Sequence, residues 1–268
     1  VASSKDFDDP FSSDDSITTE EMARMTYCLG IITKDGFVVA SDSRTNAGYD
    51  QVNVCKKMHT FEVPGSRVFV LMTSGSLSCS QSLMALLRQD FEQGNGLASC
   101  ETMYDAARVV GAKVRRVAEL DRDALEQDKY RFNVHTVLAG QIRGQPHDLY
   151  LIYPQGNPLR ASEESPYLQI GECKYGRPIL DRGVRFERTT LEDAALYALI
   201  SLDSTMRSNV TVGPPIDLLI YTRDELQLCR RRRFAERDPD LAAIHEQWEH
   251  ALQQAVQELP GIRFDPES

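Results

Sequence analysis

The order of elements in these 268 residues predicts an α+β chain folded as a four-layer αββα sandwich. Two observations carry that prediction. Strand-like and helix-like runs both come in adjacent pairs, and the pairs succeed one another as strands, two helices, strands, two helices, strands. Alternating single strands and helices would build parallel βαβ units. Paired ones build two antiparallel sheets stacked face to face with helix pairs outside.

The first element is a hairpin. Apolar runs at 27–33 and 37–43 flank Lys34-Asp35-Gly36, a strong turn signal. Runs at 53–62 and 67–73 flank Val63-Pro64-Gly65-Ser66 and complete an expected four-strand antiparallel meander. Ser74-Gly75-Ser76 leads into a helix from Leu77 to about 93, stopped by Gly94-Asn95-Gly96. A second helix is predicted over 102–126, where Met103, Ala106, Val110, Val114, Val117 and Leu125 keep a helical period. Strands follow at 132–142, 147–153 and 167–171, then helices at 175–182 and 191–206. A hairpin of 216–222 with 225–231 turns across Arg223-Asp224. The last helix, 240–258, carries Leu241, Ile244, Trp248, Leu252 and Val256 on one face, which covers either this domain's core or a neighbour. The expected unit is a single domain over 26–260 followed by a tail at 261–268.

Residues 1–25 stand outside that unit. Up to Arg24 the segment holds seven acids against two bases, net −5 of the chain's −10, with no apolar periodicity. It reads as a disordered acidic extension: a tag, a propeptide or an upstream misread start. Met25-Thr26 resembles a natural start, since an initiator Met is removed when a small residue follows.

Composition narrows the classes. The acidic balance argues against broad phosphate-backbone binding, so no nucleic-acid partner is expected, and the Arg230–Arg233 run reads as a solvated face or subunit contact. No run is long and apolar enough for a transmembrane helix, and no membrane partner is expected. The six cysteines (Cys28, Cys55, Cys79, Cys100, Cys173, Cys229) contain no C-x-x-C pair, and the five histidines show no ligand spacing, so neither metal nor cofactor is expected. Scattered cysteines without a secretory signal suit reduced thiols and a cytoplasmic location.

The chemistry concentrates at the ends of the first hairpin. A threonine hydroxyl is a weak nucleophile, but at a chain terminus its own α-amine, with an ordinary pKa of roughly 7.7–8.0, serves as the base. A nearby lysine keeps that amine neutral, and an aspartate holds the lysine. A hairpin brings Thr26, at the start of its first strand, close to Asp42 at the end of its second. The following strand carries Lys56 and Lys57, and strand alternation lets only one of them point inward. Taken singly, each residue has a structural reading as strand former, turn cap or edge charge.

Together these residues resemble the proteasome β-subunit family of N-terminal-nucleophile hydrolases and, within it, its bacterial branch Anbu. The resemblance rests on Met25-Thr26-Tyr27-Cys28, Ala40-Ser41-Asp42-Ser43-Arg44-Thr45-Asn46-Ala47-Gly48, Lys56-Lys57-Met58-His59-Thr60-Phe61, Gly171-Glu172-Cys173-Lys174-Tyr175-Gly176-Arg177-Pro178 and Arg207-Ser208-Asn209-Val210-Thr211-Val212-Gly213-Pro214-Pro215. It implies Thr26 as nucleophile, Asp42 as orienter, Lys57 rather than Lys56 as the tuning lysine, and the Gly75 backbone N–H as oxyanion donor. It also implies Thr45 and Asn46 as the strand that pairs with an extended peptide, with Ser76 on the opposite wall. Two segments depart from the family pattern. Glu172 replaces a serine in one. In the other, Ser208 stands where the family has an aspartate and Thr211 where it has a serine. An acid is lost from one segment and gained in the other. The implied activity is a cytoplasmic threonine endopeptidase acting on peptides or unfolded protein inside a ring-like or helical homo-oligomer, with an unfoldase as a further partner. An amidase acting on a small amide and a scaffold with little activity are the competing readings.

Overall fold

The computed structural model describes residues 26–46, 52–127 and 132–263. The acidic extension, Ala47 and Gly48, and the tail beyond 263 lie outside the described residues.

Two five-stranded antiparallel sheets form the centre. The first comprises β1 (Tyr27–Thr33), β2 (Gly36–Ser41), β10 (Tyr167–Gly171), β11 (Ile216–Thr222) and β12 (Arg230–Phe234), in the order β10-β1-β2-β11-β12. The second runs β5 (Met58–Val63), β6 (Arg67–Gly75), β7 (Val134–Ile142), β8 (Asp148–Ile152) and β9 (Pro158–Arg160). A short hairpin of β3 (Arg44–Asn46) and β4 (Val52–Val54) stands apart from both.

Three layers of core show the stacking. In β1 and β2, Tyr27, Leu29, Ile31, Val38 and Ala40 pack with α4 (Arg177–Gly183) and α5 (Leu191–Ser208). The alternate residues Cys28, Ile32, Phe37 and Val39 meet Val68, Val70 and Met72 of the other sheet. The opposite face of β6, Phe69 and Leu71, packs with α1 (Leu77–Glu92) and α2 (Met103–Leu120). A sheet covered on both faces needs apolar residues at consecutive positions, so β1 reads as an unbroken apolar run. The result is the expected four-layer αββα sandwich.

Several boundaries differ from the sequence reading. The four-strand meander does not exist: β1 and β2 belong to one sheet, and β5 and β6 to the other. The expected strand at 53–62 breaks at residues 55–57, where the chain crosses between β4 and β5. Hairpin turns are local signals, whereas the assignment of a hairpin to a sheet is set by tertiary packing. The helix expected over 102–126 ends at Leu120, and Arg122–Gln127 forms a separate α3. The second strand of the last hairpin lies at Arg230–Phe234 rather than 225–231. There residues 223–229 form a longer connection in which Asp224 and Leu226 take positive φ. Strands β3 and β9, of three residues each, were too short for periodicity to register.

The arginine run occupies β12 and is paired throughout. Arg230 meets Glu192, Arg231 meets Glu62, Arg232 meets Asp238 and Asp240, and Arg233 meets Asp217. Helix α6 (Pro239–Gln257) starts on an Asp238 cap and packs Leu241 and Ile244 on the α5 side of the core. Further along it, Leu252 and Val256 are exposed. Among the described residues no helix is long and apolar enough to cross a membrane, and no cluster of three His, Cys, Asp or Glu side chains is placed to hold a metal ion.

Candidate active site

The ends of the two sheets meet at Thr26. The hairpin register sets Cys28 opposite Ser41, which brings Asp42 to the beginning of β1. The Asp42 N–H donates to the Tyr27 carbonyl (3.1 Å), and the Tyr27 N–H donates to Asp42 Oδ1 (3.0 Å). Lys57 arrives from the crossing between β4 and β5. Its ammonium donates to Asp42 Oδ1 and to the Arg44 carbonyl, both at 2.7 Å. The Gly213 N–H donates to Asp42 Oδ2 (3.3 Å).

The two lysines left open by strand alternation are separated by burial: Lys57 is 6% exposed, while Lys56 is exposed. Burial pushes the Asp42 carboxyl above its ordinary value, and Lys57 with the two amides pulls it partly back. Cys28 lies beside this pair, and burial raises its thiol far above the range in which a thiolate forms. It is a core residue here, not a nucleophile.

Thr26, Thr45, Lys57 and Gly75 border one cleft of about 470 Å³. Its walls are the β4–β5 crossing on one side and α1 on the other, and Lys56, His59, Met84 and Arg88 are among its lining. Asp42 acts from behind, fully buried. Gly75 takes φ +103°, and a Cβ there would lie 1.7 Å from the Asn133 carbonyl oxygen, so only glycine fits. Ser76 is not part of the cleft lining. It is 7% exposed, and its hydroxyl caps α1 by accepting from the Cys79 N–H (3.4 Å). Asn46 pairs in register with Val52 at the end of β3.

The two departing segments come together. The Glu172 N–H donates to the Thr26 carbonyl (2.7 Å), and the Glu172 carboxylate is buried. The Asn209 side-chain amide donates to Glu172 Oε2 (3.3 Å), and Asn209 Oδ1 accepts from both the Thr211 N–H (2.9 Å) and the Thr211 hydroxyl (2.6 Å). Ser208, expected in this group, is exposed at the end of α5. The helix ends there, and Asn209, in extended backbone, turns toward Glu172 in its place. A one-residue offset across a helix terminus leaves no mark in the local sequence pattern.

Other residues of the site have no role assigned by the sequence pattern. Gly213 supports Asp42, and its carbonyl accepts from the Ser43 and Arg44 N–H groups (3.3 Å each). The Gly213-Pro214-Pro215 turn was its signal. Ser74 lines the cleft with a buried hydroxyl that has no partner among the described residues. His59 and Arg88 come from separate elements, and nothing local links them. Arg88 Nη2 lies 3.4 Å from His59 Nδ1. Burial, then Arg88 and Lys56, pull the His59 imidazole down to about 4. A histidine lowered on folding binds fewer protons folded than unfolded, so its contribution is complete above the ordinary value near 6.5 and is lost as pH falls toward 4. Urea midpoints of wild type and His59→Gln should therefore diverge less in favour of wild type at pH 4.5 than at pH 7. A gap that is the same at both pH values would refute this.

A sandwich of two antiparallel sheets, with a threonine, a buried aspartate and a buried lysine where the sheet ends meet, defines an N-terminal-nucleophile-hydrolase-like protein. The family model for proteasome subunits matches residues 22–221. The Anbu complex of Pseudomonas aeruginosa, solved as a helical assembly, is 44% identical at a TM-score of 0.84, over 89% of this chain and 98% of that one. Anbu, the ancestral beta-subunit, of Yersinia bercovieri is 40% identical at 0.83, over 90% and 100%. The proteasome subunit beta of Haloferax volcanii is 24% identical across 222 residues, 82% of this chain and 83% of its own. The chain belongs to the proteasome subunit family, on the Anbu side of it.

Proposed function

We propose that the chain, once it begins at Thr26, is a threonine-type endopeptidase. The observation that carries this reading is Lys57 Nζ, held at 2.7 Å by both Asp42 Oδ1 and the Arg44 carbonyl. An ammonium fixed there, at the border of the cleft that holds Thr26, favours a neutral α-amine. The amine takes the Thr26 hydroxyl proton as Oγ1 attacks a peptide carbonyl. The tetrahedral oxyanion is met by the Gly75 N–H, a donor worth on the order of 3 kcal/mol in the transition state. The proton passes to the leaving amine, and an ester on Thr26 remains. Water, deprotonated by the same amine, releases the acid and restores the hydroxyl.

The substrate lies extended along Thr45 and Asn46, adding a strand to β3. The Glu172, Asn209 and Thr211 group supports the backbone of Thr26 and supplies the acid that Ser208 does not. The work takes place in the cytoplasm, where the unpaired thiols of the described cysteines remain reduced. The chain assembles on itself, as the Pseudomonas aeruginosa complex does in its helical assembly, and is fed with peptide or unfolded protein by an unfoldase.

The test uses protein that begins at Thr26, incubated with a threonine-directed electrophile and weighed intact. One adduct on wild type and none on Thr26→Ala is expected. A chain that retains residues 1–25 should also show none, because an amide nitrogen is no base. Folded, assembled wild type without adduct sinks the enzyme and leaves the scaffold reading. An adduct without turnover of any peptide library, but with release of small amides, gives the amidase instead.

A further inference from the structure

The cleft is more cationic than the protein that contains it. The chain carries net charge −10. Yet among the described residues lining the cleft there is no aspartate or glutamate, while Lys56, Lys57 and Arg88 are all present. Lys57 is committed to Asp42. The other two cations have no carboxylate partner among the described residues: Arg88 reaches only His59 and the Phe61 ring, and Lys56 forms no ion pair. Elsewhere this protein pairs exposed arginines readily, as the whole of β12 shows. His59, between the two cations, is uncharged near neutral pH and cancels nothing.

We infer that the cleft accepts an acidic side chain, so that the preferred substrate carries glutamate or aspartate on the acyl side of the bond that is cut. This rests on the peptidase reading for the word substrate, but not for the binding itself. A peptide laid along β3 with its reacting carbonyl between Thr26 and Gly75 directs the adjoining side chain between the β4–β5 crossing and α1. Lys56 stands on the first wall and Arg88 on the second. A carboxylate there meets a cation from each side, Arg88 offering paired N–H donors. A lysine or arginine side chain would meet two like charges instead. The apolar part of the wall, including Met84, accommodates the methylenes of glutamate.

Binding can be read without turnover. Protein that begins at residue 26 and carries Thr26→Ala is titrated with fluorescent tetrapeptide amides that end in glutamate, glutamine or leucine. At low salt the glutamate peptide should bind about tenfold more tightly than its glutamine twin, and 0.5 M salt should erase most of that preference, because both cations are exposed. Arg88→Gln and Lys56→Gln should each reduce that glutamate-over-glutamine preference severalfold. Equal affinity for glutamate and glutamine, a preference untouched by either substitution, or no binding up to millimolar peptide overturns the inference. Wild type that gives no adduct with the electrophile while the glutamate preference persists defeats the peptidase reading and leaves acid recognition standing.

Discussion

Lys57→Met should cost about 3–5 kcal/mol of folding stability, because it strands a buried carboxylate. Asp42 has no exposed surface in the folded chain. Without the ammonium its remaining donors are the Tyr27 N–H at 3.0 Å and the Gly213 N–H at 3.3 Å. Burial already raises this carboxyl, and Lys57 is the largest influence opposing the rise, so the variant's carboxyl should rise further. A carboxyl raised on folding binds more protons folded than unfolded, so the charged form destabilises as pH rises through the raised value. The deficit against wild type should therefore be larger at pH 8 than at pH 5, measured as urea midpoints. Asp42→Asn combined with Lys57→Met removes both charges and should recover most of the lost stability, whereas the Thr26 adduct should be absent from both variants. A double variant no more stable than Lys57→Met alone would show that the pair is not what holds this end of the sheets together. Recovery of the adduct in the double variant would remove the lysine from the chemistry.

The same pair shows what sequence can and cannot convey. Thr26 and Asp42 are sixteen residues apart, and a Lys-Asp-Gly turn between two apolar runs is enough to place them at one end of one hairpin. The layers were legible for a similar reason: strands and helices come in neighbouring pairs, each announced by its own turn. Lys57 was legible only through resemblance. The reasoning from strand alternation assumed that both lysines lay in a strand, but residues 55–57 belong to none. The chain leaves one short hairpin there and enters the opposite sheet, a change of partner that no local pattern encodes. Glu172, Ser208 and Thr211 were named through resemblance, but the residue that joins Glu172 to Thr211 is Asn209, one position on, because the last residue of α5 and the first beyond it differ only in where the helix stops. The meeting of Lys56, His59 and Arg88 in one cleft was not legible. Lys56 precedes β5, His59 lies within it and Arg88 sits late in α1; only the packing of α1 across the sheet makes them neighbours.

Gly75→Ala should be the most damaging substitution by a single methyl group in the cleft, in contrast to Gly94→Ala. Both glycines have positive φ, +103° and +76°, which on its own penalises alanine by about 1–3 kcal/mol. They differ in what the new methyl meets. At Gly94 nothing lies within 4 Å, whereas at Gly75 the Asn133 carbonyl oxygen is at 1.7 Å and its carbon at 2.7 Å. These are backbone atoms at the end of the β6–β7 ladder, where Gly75 stands opposite Val134, so no rotamer change relieves the contact. The strands must separate instead. The bond from the Ser76 N–H to the same Asn133 carbonyl (3.1 Å) then fails, and the Ser76 cap and the start of α1 move with it. Gly94→Ala should lower stability by no more than that backbone cost of about 1–3 kcal/mol and label at Thr26 as wild type does. Gly75→Ala should lose more than about 3 kcal/mol and the adduct as well, since the strand end that presents the Gly75 N–H to the reacting carbonyl is displaced. Equal midpoints for the two variants would mean that the strand end yields freely, and a labelled Gly75→Ala protein would mean that the oxyanion is stabilised elsewhere.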